Sequence, residues 1–178
     1  MLLRAAEPAD ALAVARVHVR AWQVAYRSLL PDEYLNSLKP EDRAPRYTFG
    51  GTDPREPMTT VAVDEHGTIR GFATTCAARD ADVPGHGELA AIHVDPDWWG
   101  RGVGVALLAS ARAFLLDSGF RRAVLWVLVG NTRAERFYAK DGWTPDGTQR
   151  TDTVWGLQVN DQRFRRTLWR YICRNKCR

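Results

Sequence analysis

Between Val94 and Leu108 the chain reads VDPDWWGRGVGVALL: a strand-like end, a proline turn, two tryptophans, glycines at 100, 102 and 104, then an apolar run. Glycine costs backbone entropy, so this density implies that something needs the main chain bare there. A helix opening at such a point aims successive amide hydrogens, and the positive end of its dipole, in one direction. That is a seat for an anion. Gly102 and Gly104 would let phosphate oxygens reach the backbone, and Arg101 would add a charged donor at the rim. A tight strand-to-helix connection with no ligand explains the same glycines, and the stretch alone does not separate the two readings. Two other phosphate motifs fail. A P-loop needs Lys and then Ser or Thr where Val105 and Ala106 stand, and a dinucleotide fingerprint needs glycine where Val105 or Leu107 stands.

The elements that would hold this stretch follow from periodicity. LLRAA, from Leu2, reads as a first strand. Leu12, Ala15, Val19, Trp22 and Tyr26 recur at helical spacing after Pro8, which suits a first helical turn. LLPDEYLNSL is a second short helix, opened by Pro31 and Asp32, and KPEDRAPRYTFGGTDPREP is mostly helix end and loop. Two strand-like runs flank Asp64–Gly67 as a hairpin. ELAAIHV is a strand, and a helix follows from Gly102 to Ser118 with Val105, Leu108, Ala111 and Leu115 along one stripe. AVLWVLV, almost wholly apolar, is expected as a central strand covered on both faces. NTRAERFYAKDGW is a helix capped by Asn131 and ended by Gly142. TVWGLQV and QRFRRTL are expected as a closing pair of strands. The order predicts an α/β or α+β sheet with helices packed on it.

A length of 178 residues allows about one domain, and 45% hydrophobic with 26% charged residues is ordinary globular composition. No apolar run approaches the roughly 20 residues of a membrane helix. The first residues lack a signal-peptide layout, so a cytoplasmic protein with no membrane partner is expected. Cys76, Cys173 and Cys177 form no zinc pattern and fit a reducing compartment, with Cys76 a small buried hydrophobe. Seven of the 25 Lys and Arg lie between Arg163 and Arg178, where no Asp or Glu occurs; setting them aside takes the net charge from +4 to −3. The body is mildly acidic, the basicity is expected as a solvated end, and nucleic acid is not the expected partner.

With these residues in view, the chain resembles the GNAT acetyltransferase superfamily. One signature is the strand, proline turn and Arg/Gln-x-x-Gly-x-Gly/Ala helix opening, here ELAAIHVDPDWWGRGVGVALL, with Trp99 where the family often has Gln or Arg. The second is Asn, Ala, an aromatic–Tyr pair and Gly–aromatic, matched by Asn131, Ala134, Phe137, Tyr138, Gly142 and Trp143. The resemblance implies a single GNAT-like domain over residues 1–168 with a basic tail over 169–178. Its sheet would be mixed, mostly antiparallel, and splayed at the cofactor strands.

The resemblance further implies acetyl transfer from acetyl-CoA to an amine, without metal and without a covalent enzyme intermediate. The diphosphate would sit on Gly100, Arg101, Gly102, Val103, Gly104 and Val105. Pantetheine would lie along Ile92, His93 and Val94, and one N–H there would polarise the thioester carbonyl. Tyr138 is the expected acid for the thiolate and also touches cofactor; Asn131 binds cofactor, caps its helix, or both. Glu88 is the expected base, with His93 its rival, since an alkylamine of pKa about 10.4 must lose a proton before attack. Trp22, Tyr26 and Tyr34 are candidates to wall an acceptor pocket, although aromatics at helical spacing are usually core. Relatives often pair, which implies a homodimer. Two other classes stay open: an acyl-CoA sensor without turnover, and a nucleic-acid binder acting through the tail.

Overall fold

The computed structural model describes residues 1–53, 55–154 and 156–169. Residues 170–178 of the basic tail, with Cys173 and Cys177, lie outside the described residues. The strands are β1 (Leu2–Ala5), β2 (Met58–Val63), β3 (Ile69–Ala77), β4 (Gly87–Val94), β5 (Arg122–Leu128), β6 (Thr144–Val154) and β7 (Leu157–Thr167). They form one sheet in the order β1-β2-β3-β4-β5-β7-β6. All neighbours are antiparallel except β4 and β5. The β2–β3 turn is held by Asp64, whose Oδ1 accepts from the amides of His66 and Thr68 at 2.9 Å each while Arg70 binds the other oxygen at 2.7 Å. An Asp that bonds its own following amides nucleates such a turn.

Helix α1 (Ala11–Ala25), entered through a short 3-10 turn at Pro8–Asp10, covers one face of the sheet. Short helices α2 (Asp32–Ser37) and α3 (Pro40–Arg43) follow it, and α4 (Val103–Asp117) and α5 (Thr132–Lys140) cover the other face. In α4 the buried stripe is Val103, Leu107, Leu108, Ala111, Leu115 and Leu116. Val105, expected in that stripe, is instead 65% exposed. Leu107 and Leu115 are fully buried, and each such side chain contributes about 1.5–3 kcal/mol.

Two other expectations change. TVWGLQV is not one strand: Val154 and Leu157 are paired across a turn in which Gly156 has φ +84°. The first strand of that pair is TPDGTQRTDTV, a polar run whose residues alternate between exposed and half-buried. It lacks the apolar alternation that marks a strand in sequence. The basic stretch is likewise not all solvated, because Arg163 is only 4% exposed and binds Asp82 at 2.6 Å and Asp146 at 2.8 Å from within β7.

The sheet opens in its middle. β4 and β5 pair only through Gly87↔Ala123 and Glu88↔Val124. Beyond them both strands continue, to Val94 and Leu128, without pairing each other. The cause is local: the β3–β4 register jumps from Thr75↔Leu89 to Thr74↔Ala91, leaving Ala90 as a bulge. A bulge bends its strand and inverts the alternation after it. Leu89 therefore faces the α4 side before the bulge, while Ile92 and Val94 do so after it, and Ala91 packs with the α1 side.

Candidate active site

A cavity of about 420 Å³ fills this opening, well inside the size range of small-molecule sites. Its floor is the unpaired ends of β4 and β5, with Ile92, His93 and Val94 on one and Trp126, Val127 and Leu128 on the other. The turn after β4 is braced on the α1 side. Asp95 accepts from the Asp97 amide at 3.1 Å and from Arg20 at 2.6 Å, and Arg20 also reaches Asp97 at 2.7 Å. The indole N–H of Trp99 donates to the Val94 carbonyl at 2.8 Å. Gly100 and Gly102 take φ of +74° and +83°, a left-handed conformation that turns the chain into α4 with Gly102 as N-cap. No side chain caps this end. The first-turn amides have no acceptor within the helix, as at any helix start.

Three guanidinium groups surround the turn. Arg70 and Arg101 lie 5.0 and 5.2 Å from the centroid of Trp98, and Arg133 at the start of α5 lies 3.1 Å from that of Trp99. Burial lowers the pKa of Arg133. Gly104 lines the cavity, and a Cβ there would stand 3.4 Å from Phe137. The cavity wall on this side is completed by Ala134, Phe137 and Tyr138 of α5. Asn131 Oδ1 caps that helix by accepting from the Ala134 amide at 3.1 Å.

At the inner end the phenols of Tyr138 and Tyr26 both line the cavity. Tyr138 is 8% exposed among Phe137, Trp143 and Phe164. Burial raises its pKa far above the ordinary phenol value, and the neighbouring Tyr26 raises it further. Tyr26, the C-cap of α1, is pushed up to about 12 by burial and then by the charge of Asp161, against a hydrogen bond from Asn131. Asn131 thus serves both helix cap and phenol.

Of the residues singled out in the sequence, Tyr138, Ile92, His93, Val94, Gly100, Gly102, Gly104, Val105, Asn131 and Tyr26 line this cavity. Arg101 lies beside it against Trp98, and Val103 turns into the core under α4. Trp22 stands behind Tyr26, edge-on at 4.8 Å. Tyr34 spends its hydroxyl on the Val154 carbonyl at 3.0 Å, tying α2 to the β6–β7 hairpin. Glu88 is buried before the strands part and accepts from Arg79 at 2.9 and 3.4 Å. Trp98, Trp126, Leu128, Arg133 and Phe137 line the cavity without having been expected there. Trp126 and Leu128 reach the cavity because β5 is unpaired with β4 there, and the other three come from the turn after β4 and from α5; the resemblance implied the splay but not these side chains.

His93 faces the α1 side and stacks on His18 at 4.3 Å, with Phe72 at 5.4 Å. His18 Nδ1 is bonded to the Tyr47 hydroxyl. Burial, and then the Arg43 charge, lowers the His93 pKa to about 3, and His18 is also held well below its usual range. Neither is protonated in the folded state near neutrality, whereas both take up protons near pH 6.5 when unfolded. Between about 6.5 and 5 the unfolded chain therefore binds more protons, and stability falls as pH falls, by up to about 1.4 kcal/mol per pH unit per histidine. Urea unfolding across that window should show this slope, and His93→Gln should remove about half of it. A wild-type midpoint flat from pH 6.5 to 5 would refute the neutral pair.

Cys76 is a buried thiol with its pKa pushed up to about 11 by burial and by Glu88, so it is no nucleophile at neutral pH. Among the described residues no cluster of three His, Cys, Asp or Glu could hold a metal ion, and no helix is long and apolar enough to cross a membrane.

The model of the acetyltransferase (GNAT) family matches residues 20–143. The chain is 35% identical over 132 residues to the uncharacterised N-acetyltransferase YuaI of Bacillus subtilis strain 168, covering 72% of each protein. Its fold matches the crystal structure of a GCN5-related N-acetyltransferase from Rhodopseudomonas palustris, with a TM-score of 0.72 at 20% identity over 94% of this chain and 95% of that one. It also matches PaiA N-acetyltransferase of Thermoplasma acidophilum in complex with coenzyme A, with a TM-score of 0.68 at 17% identity over 93% and 98%. A strand bulge, a parted sheet and a glycine-led helix start thus meet in one cavity, in a chain whose sequence matches the family over most of its length. The chain belongs to the GNAT family of acetyl-CoA-dependent N-acetyltransferases.

Proposed function

We propose that this enzyme acetylates a primary amine of a small molecule or peptide by direct attack on the thioester. The observation that carries the reading is the parting of β4 from β5 beside an uncapped helix start. That opening frees main-chain groups of Ile92, His93 and Val94 to bond the amides of pantetheine. The amides from Gly100 to Val105 hold the diphosphate, with Arg101 and Arg133 as cations. Arg133 supplies over Trp99 the charge that an Arg at 99 would have brought. A main-chain N–H of β4 polarises the thioester carbonyl.

The leaving thiolate, whose conjugate acid has a pKa of about 8.5, takes a proton from Tyr138. Burial keeps that phenol protonated throughout the neutral range. Asn131 and Tyr26 fix the polar end of the cavity, and Trp22 backs Tyr26. His93 is held neutral by burial with its pKa lowered to about 3 and is stacked on His18, so the base is sought among the carboxylates. Glu88 is one candidate, although its carboxylate is bound by Arg79. The domain ends at Leu168 in this reading, and the basic tail is dispensable.

Acetyl-CoA should raise the melting temperature, whereas acetate and NAD should not. At 100 times Kd the linkage is about 2.7 kcal/mol, which for a chain of this size is roughly 5–10 °C. The same rise is expected after truncation beyond Leu168. No rise at saturating acetyl-CoA in the full chain would overturn the proposal.

A further inference from the structure

We propose that Asp161 is the carboxylate that binds the acceptor's ammonium group and takes up its proton, an inference that rests on the acetyltransferase reading above. Asp161 does not itself line the cavity but adjoins two residues of its wall, Leu128 and Tyr26. Asp161 is the cross-strand partner of Leu128, so both point to the α1 side of the sheet. Its charge is felt by the Tyr26 phenol. Its nearest cation, Arg150, lies 3.8 Å away and covers the Trp126 ring at 4.0 Å.

What sets Asp161 apart is how little it is satisfied. It is 9% exposed, and among the described residues its carboxylate has that one long contact and no hydrogen bond. Buried carboxylates are normally hydrogen-bonded or closely paired. Other acids of the fold are held more closely: buried Glu88 by Arg79 at 2.9 Å, and half-buried Asp146 by Arg163 at 2.8 Å. A carboxylate whose oxygens still reach solvent, with one long cation contact and no hydrogen bond, has room for a cation brought by the substrate. Burial also raises its pKa, which makes it a better proton acceptor than an exposed Asp. The ionisable groups around it are Tyr26 from α1, Arg150 and Asp152 from β6, with Asp80 beside Arg150.

The ammonium passes one proton to the Asp161 carboxylate, and the freed lone pair forms a bond to the thioester carbon. The C–S bond breaks as the thiolate takes the Tyr138 proton, and the second proton of the nitrogen restores the phenol. The net products are the amide, coenzyme A thiol and one proton, released from Asp161 to solvent.

The test uses phenethylamine, a cationic primary amine suited to the Trp126–Tyr26 wall, and its uncharged analogue 2-phenylethanol. Calorimetric titration into the full chain saturated with coenzyme A should show the ammonium bound at least tenfold more tightly than the alcohol at pH 7.5. In Asp161→Asn that preference should vanish while alcohol binding persists, which also reports the fold. In Glu88→Gln it should remain. In the wild type it should fade as acid protonates the carboxyl, beginning above the usual Asp range. No preference in the wild type, its survival in Asp161→Asn, or its loss in Glu88→Gln alone would overturn the proposal. Failure of the acetyltransferase reading is distinguishable, because it would show as absent acetyl-CoA stabilisation.

Discussion

Gly104→Glu should show no acetyl-CoA-induced rise in melting temperature, where the wild type gains roughly 5–10 °C under saturation. The residue lies in the first turn of α4 and lines the cavity, so the new carboxylate stands among the amides proposed to hold the diphosphate. Like charges at this range in a partly dry site cost several kcal/mol, enough to lower affinity about 100-fold or more. Gly104→Ala separates charge from bulk. Its Cβ would meet Phe137 at 3.4 Å and Val94 at 3.7 Å, ordinary contacts, so most of the rise should survive. A full rise in Gly104→Glu, read by thermal unfolding with and without acetyl-CoA, would remove the diphosphate from this helix.

Tyr138→Phe should lower kcat by about 100-fold or more, the usual worth of a positioned acid, and leave acetyl-CoA stabilisation within a degree of the wild type. The ring would stay packed against Trp143 and Phe164, so the fold should survive removal of one hydroxyl. The sign of the pH dependence follows from burial. Because the Tyr138 pKa is raised, the acid form persists as pH rises, and the wild type should lose no activity through this group below about pH 10. Thiol release from acetyl-CoA with an active amine gives kcat. Equal losses in turnover and cofactor affinity would make Tyr138 a binding residue instead.

These expectations draw on two kinds of information. The strand, proline turn and glycine-led helix were legible because each is a local event. A left-handed turn at Gly102, a first helical turn at Val103 and a cap from Asn131 to Ala134 depend on residues within a few positions of one another. Asn131 and Tyr138 were placed correctly along one helix for the same reason, since helical spacing fixes which side chains share a face. The β6–β7 hairpin was misjudged because β6 is a polar edge strand, and pairing with β7 rather than composition makes it a strand.

By itself, then, the sequence determined the glycine-led start of α4 and the helix carrying Tyr138, because backbone dihedrals and short-range hydrogen bonds decide both. Only the tertiary structure decided that Ala90 is the bulge at which the expected splay of β4 from β5 begins, that Arg79 closes on Glu88, and that Tyr26 comes within electrostatic reach of both Tyr138 and Asp161. Those meetings join residues far apart in the chain. They come from strand register and helix packing, and no nearest-neighbour rule encodes either.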